Sequence, residues 1–203
     1  LSCQVAYLDS NPEVGLVGCG SRWVDEKHRF IRDWQPTSDP DEIQALLLWA
    51  VPFLHGTFVF RRACLRDLEG GYNEAIPVAQ DCDLLLRLSE RWELSNVKDI
   101  LYVYRQHGDT VTSRRRVDQE RCLQFARDAA VQRRLTMGMA RLRLARDSAP
   151  GWTRRADRRW LARRYVLWSQ GARMISRSLA LRFLVVAAVL DPTTPAIWSY
   201  IGG

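Results

Sequence analysis

Before residue 105, short apolar runs of strand length alternate with helix-start signals, and this alternation confines the first half of the chain to a mixed α/β layer. Residues 14–17 form an apolar run ending at Gly18, and Arg22-Trp23-Val24 extends or pairs with it. Residues 29–34 read as a further short strand. Thr37-Ser38-Asp39-Pro40 precedes Glu42 and the apolar run 43–51; a capping residue followed by proline in the first turn predicts a helix there, stopped by Pro52. Residues 53–60 are rich in aromatic and β-branched side chains and predict a buried strand. A short helix is expected over 61–68, closed by Gly70-Gly71. Leu84, Leu85, Leu88 and Trp92 fall on one face of a helix over 81–92, and 100–104 predicts another strand.

From about Val117 onward the pattern is helical, with breaks at Pro150-Gly151 and Asp191-Pro192. Charge divides the chain in the same region. Residues 1–110 carry 11 Lys/Arg against 17 Asp/Glu, a net of −6, whereas residues 111–203 carry 19 against 6, a net of +13. An α/β domain over 1–115 followed by a basic helical extension over 116–203 accounts for both changes. Hydrophobic residues at 47% and charged ones at 26% exclude a disordered or membrane-spanning composition. Five cysteines without C-x-x-C spacing argue against a disulfide framework or zinc site and fit a reducing, cytoplasmic setting. The first residue is Leu and no signal-peptide pattern follows, so the start reads as an internal point of a longer polypeptide.

The candidates for chemistry are few. Asp81 opens a predicted helix, where the dipole and free N–H groups favour a carboxylate. Spacing alone leaves a plain helix cap and a reactive carboxylate equally open. Asp83 reads as a first-turn acid or as a partner for Arg87 four residues on. His107 lies in a loop after a strand, His55 at the start of the predicted buried strand, and His28 among Lys27 and Arg29.

Five segments in order resemble family-2 glycosyltransferases of the GT-A fold. They are Asn11-Pro12-Glu13-Val14-Gly15-Leu16-Val17-Gly18, His55-Gly56-Thr57-Phe58-Val59-Phe60-Arg61-Arg62, Gly70-Gly71-Tyr72-Asn73-Glu74, Gln80-Asp81-Cys82-Asp83-Leu84-Leu85-Leu86-Arg87-Leu88, and Leu101-Tyr102-Val103-Tyr104-Arg105-Gln106-His107. The resemblance covers roughly residues 1–115. It implies a partial GT-A, Rossmann-like mixed sheet and inverting transfer of a sugar from a nucleotide-sugar donor to a hydroxyl of a glycan or lipid-linked acceptor. Asp81 matches the family's catalytic base, preceded here by Gln80 rather than the usual Glu. Gly70 and Gly71 match the glycine loop near donor and acceptor. His55, Gly56, Asp83 and Arg105 fall in substrate-side segments, and His107 matches a histidine that approaches the metal, Mg²⁺ or Mn²⁺, or the diphosphate. The family's nucleotide-binding strands and Asp-x-Asp metal motif are expected upstream of the matched residues. Asp9, followed by Ser-Asn-Pro, does not supply them. The chain by itself is therefore expected not to turn over a sugar nucleotide.

The extension alternates Arg154-Arg155, Arg158-Arg159 and Arg163-Arg164 with Trp152, Trp160, Tyr165 and Trp168, and residues 179–190 carry one charge, Arg182. That segment is too short for a bilayer span, which needs about 20 apolar residues. Two readings stand side by side: an interfacial element on an anionic membrane surface, at the inner face of the cytoplasmic membrane, or helices docked through their apolar faces. Arginine with interleaved aromatics also suits RNA or single-stranded DNA, but no nucleic-acid motif accompanies it and the first half is acidic. The alternative to an enzyme is a non-catalytic basic membrane- or nucleic-acid-binding module carrying a degenerate glycosyltransferase body.

Overall fold

The computed structural model describes residues 1–68, 71–107, 115–146, 155–195 and 197. These form a mixed α/β structure with a four-stranded mixed sheet and seven α-helices among the described residues. The chain divides into two compact units, Leu1–Ile43 with Ala50–Asp128 and Gln44–Trp49 with Ala129–Gly203. It crosses from one unit to the other inside two helices, α2 (Pro40–Leu46) and α5 (Arg116–Arg146).

The first unit is built on β1 (Val14–Val24). Along one edge β1 pairs in parallel with β4 (Glu93–Arg105), from Val14 opposite Glu93 to Val24 opposite Arg105. The other edge is shared. Leu16 and Val17 pair antiparallel with β3 (Val59–Phe60), and Ser21 to Val24 pair antiparallel with β2 (Phe30–Trp34). Residues 14–21 are buried, which is why β1 reads as a near-continuous apolar run rather than an alternating one. Leu8 of α1 (Ser2–Ser10) packs with Val14, Val17, Cys19 and Val97. The Arg61 guanidinium closes the C-terminal end of α1. It donates to the Leu8 carbonyl, to Asn11 O at 3.2 Å and, through Nε, to Val14 O at 2.9 Å. A cation there suits the carbonyl end of the helix and ties it to the start of β1.

Several elements differ in extent from the sequence pattern. The buried strand expected over 53–60 is a 3₁₀ turn (His55–Thr57) followed by the two-residue β3, and His55 is exposed. Thr57 Oγ1 donates to Leu54 O at 2.7 Å, and this local bond competes with an extended backbone. The helix expected over 43–51 ends at Leu46; Asp39 accepts from the Asp41 N–H at 2.9 Å and so caps its start. The short helix expected over 61–68 is α3 (Arg62–Asp67), the helix expected over 81–92 is α4 (Gln80–Leu88), and β4 begins at Glu93 rather than at residue 100.

In the second unit, α6 (Arg155–Arg173) and α7 (Arg177–Leu190) pack side by side. Tyr165, Trp168 and Phe183 are buried and stack at centroid distances of 5.0 to 6.3 Å. Trp168 Nε1 donates to Gln44 Oε1 at 3.1 Å, and the buried Arg134 side chain lies over the Trp168 ring at 4.2 Å. Trp168 is thus core, not a side chain presented at the surface. No helix among the described residues is long and apolar enough to cross a membrane.

Candidate functional site

Asp81 stands in the first turn of α4, two residues after a backbone position that an L-residue seldom takes. Ala79 has φ 58° and ψ 28°, the left-handed region, at an energetic cost of about 1–2 kcal/mol. Val78 and Ile76 before it, and Cys82, Leu84, Leu85, Leu86 and Leu88 after it, are buried and hold the chain in this path. The half-buried Asp81 carboxylate accepts the N–H of Cys82 through Oδ1 at 3.0 Å.

Asp83 is used differently. Its side chain is 2% exposed and accepts from Arg87 Nε at 2.8 Å, one helical turn on. Arg87 Nη2 also donates to Gly71 O at 2.6 Å. The buried pair therefore ties the glycine turn to α4. Gly71 itself has φ 72° with open space where a Cβ would stand, so glycine is required there by backbone angle rather than by crowding. Gly70 lies outside the described residues.

The next residue, Tyr72, joins this edge to the 55–57 turn. Its hydroxyl and His55 Nε2 are 2.8 Å apart. Burial, and then the negative charge of Asp81, push the Tyr72 phenol above its ordinary range. The His55 ring also lies against Phe58 and Tyr72, with centroids at 5.2 and 5.7 Å. The turn beneath it is fixed from two sides. Gln4 Nε2 donates to Thr57 O at 2.7 Å, and a Cβ on Gly56 would stand 2.5 Å from the Tyr102 hydroxyl. His55, Gly56, Gly71, Tyr72 and the Asp83–Arg87 pair are thus linked through consecutive contacts or chain neighbours, and Asp81 acts on Tyr72 through its charge.

Arg105 ends β4, and His107 follows two residues later. Arg105 is exposed at the end of β4 opposite Val24, and the Gln106 N–H donates to Val24 O at 2.8 Å. His107 lines an open cleft of about 540 Å³ with Asp25, Glu26, Lys27, Arg29, Ile31 and Gln106. Asp25 is already engaged there, accepting from the N–H groups of Lys27 and Arg29 and from Arg29 Nε at 2.6 Å. Among the described residues, no group of three His, Cys, Asp or Glu side chains is placed to hold a metal ion.

Two contributors were not assigned roles from the sequence. Tyr72 is one, since nothing local signals its bond to a histidine 17 residues away. Arg87 is the other: its spacing from Asp83 signalled the ion pair, but not its reach to the glycine turn. No protein-family model matches the chain, and no curated protein matches it.

Proposed function

We propose that this chain is the acceptor-side part of a nucleotide-sugar-dependent glycosyltransferase of GT-A type, acting in cell-surface glycan or polysaccharide synthesis, with Asp81 as catalytic base. The observation that carries the reading is the placement of Asp81: a half-buried carboxylate at a helix start, after a strained residue, whose charge acts on the Tyr72 phenol. Strain of this kind persists where surrounding structure enforces it, and it concentrates at reactive sites. The five sequence segments that resemble family-2 enzymes supply the reaction class.

In this reading the acceptor hydroxyl attacks the anomeric carbon while the bond from that carbon to the nucleoside diphosphate breaks, inverting the centre. The acceptor proton passes to an Asp81 oxygen. His55 and Tyr72 orient the acceptor beside it, and the turn at Gly71, held by Arg87, lets the sugar approach the backbone. Mg²⁺ or Mn²⁺ would neutralise the leaving diphosphate when the donor is bound. No step here is routed through it, because the described residues do not complete a ligand set.

The test is Asp81→Asn in the longest polypeptide containing these residues, assayed for nucleoside diphosphate release from a panel of uridine and guanosine diphosphate sugars. Loss of about 10²–10⁴-fold in turnover is expected for removal of a general base. Donor affinity, read by calorimetry, stays unchanged. A near-normal rate in the Asn variant would reduce Asp81 to a helix cap. Absence of turnover in the unsubstituted protein, with every donor, would favour a non-catalytic module.

A further inference from the structure

The helix α7 is apolar around nearly its whole circumference, and packing accounts for one side of it. Ala180, Phe183, Leu184, Val186, Ala187 and Leu190 are buried in the second unit. Leu181, Val185 and Val189 are not: they are 57%, 53% and 57% exposed and follow one another at four-residue spacing, so they form a line along the helix. Arg177, also exposed, heads the same line, and exposed Arg182 stands beside it. Met174 and Ile175, in the turn just before α7, are 66% and 50% exposed and prolong the apolar surface.

Charge decides what suits this face. Residues 158–190 contain seven arginines and no Asp or Glu; Arg164 is buried and Arg159 pairs with Asp191, whereas Arg177 and Arg182 are exposed beside the aliphatic line. An acidic protein surface complements the arginines alone, whereas a bilayer carrying anionic headgroups supplies both of the needed chemistries, hydrocarbon for the aliphatic line and phosphate for the arginines. A helix of 14 residues is about 21 Å long, which suits lying in the interface and not crossing a core of about 30 Å.

We infer that the face of α7 formed by Leu181, Val185 and Val189, continued by Met174 and Ile175 and flanked by Arg177 and Arg182, docks the protein on an anionic lipid surface. This moves the contact away from Tyr165 and Trp168, which are committed to the core. It is also independent of the glycosyltransferase reading, since it uses no residue of the Asp81 region.

The experiment is co-sedimentation of the full chain with vesicles of phosphatidylcholine and phosphatidylglycerol in equal amounts, compared with phosphatidylcholine alone. Binding to the mixed vesicles, weakened by added salt, is expected. Val185→Asp places a charge in the middle of the exposed line and should weaken binding at least tenfold, with the helical circular dichroism signal retained. The double variant Arg177→Gln with Arg182→Gln should weaken it by on the order of tenfold or more and flatten the salt dependence. The inference is overturned by equal binding to both vesicle types or by unchanged binding of Val185→Asp. Tighter salt-sensitive binding to single-stranded RNA than to vesicles would overturn it too, as would lipid-free dimerisation that Val185→Asp abolishes.

Discussion

Asp83 and Arg87 stand one turn apart in α4, and burial makes their pairing consequential. With side-chain exposures of 2% and 17%, neither is shielded by bulk water in the way an exposed pair is. The cost of taking both charges out of water is offset only while they stay together, so removing one partner is far more harmful than removing both. Arg87→Leu should destabilise the protein by about 3–5 kcal/mol, which for a domain of this size lowers Tm by roughly 10 °C. It also frees Gly71 O from its donor. The double variant Asp83→Leu with Arg87→Leu should recover much of the loss. Differential scanning calorimetry of the three proteins checks this, and equal losses for the single and double variants would mean that the pair is not the cause. Asp81, two residues earlier, is spared such a clamp; its bond is to the N–H of Cys82, which leaves its carboxylate further acceptor capacity.

At the level of elements, the β1–β2 hairpin carries the clearest electrostatic dependence. The N–H of Arg29, followed by its guanidinium and the N–H of Lys27, holds the Asp25 carboxyl below the ordinary value. The Arg22 side chain does the same for Asp33 across the strand pair, at 2.8 Å. Both folded pKa values lie below the unfolded ones. Their contribution is therefore present above the ordinary carboxylate range and is lost as pH falls through the folded values, below about pH 4. Carboxyl chemical-shift titration should give midpoints for Asp25 and Asp33 below the reference 3.8, with amides of β2 losing protection as those groups protonate; midpoints at or above 3.8 would refute the assignment. The same elements mark how far the sequence could be read. β1, β2, α4 and the three C-terminal helices carry their periodicity openly. The first half of β4 does not, because Ser95 and Asn96 are polar. They are buried there by bonds to distant carbonyls, Ser95 Oγ to Ser38 O and Asn96 Nδ2 to Thr37 O and Pro52 O, at 2.7 to 3.0 Å. For the same reason Asp81 at its helix start was legible, whereas the His55–Tyr72 bond was not: it exists only once the 55–57 and 71–72 turns meet.

For the molecule as a whole, the decisive feature is that residues 44–49 leave the first unit and belong to the second. This insertion requires α6 to approach the backbone of α2 very closely. A Cβ at Gly171 would stand 2.0 Å from the Ala45 carbonyl oxygen, a distance that side-chain movement cannot relieve because the obstacle is main chain. Helix propensity and packing therefore give opposite signs for Gly171→Ala. In the interior of an exposed helix, alanine would gain about 1 kcal/mol over glycine. Here the overpacking cost of about 1–3 kcal/mol outweighs that gain, and it falls on the contacts that seat Trp168 against Gln44. Because contacts are concentrated within each unit, the loss should be local in free energy. Hydrogen exchange followed by mass spectrometry should find α6 and α7 less protected in Gly171→Ala, with β1 and β4 keeping theirs. Increased protection in α6 would show that propensity dominates, and an equal loss in both units would show that the chain opens as a single cooperative body rather than as two.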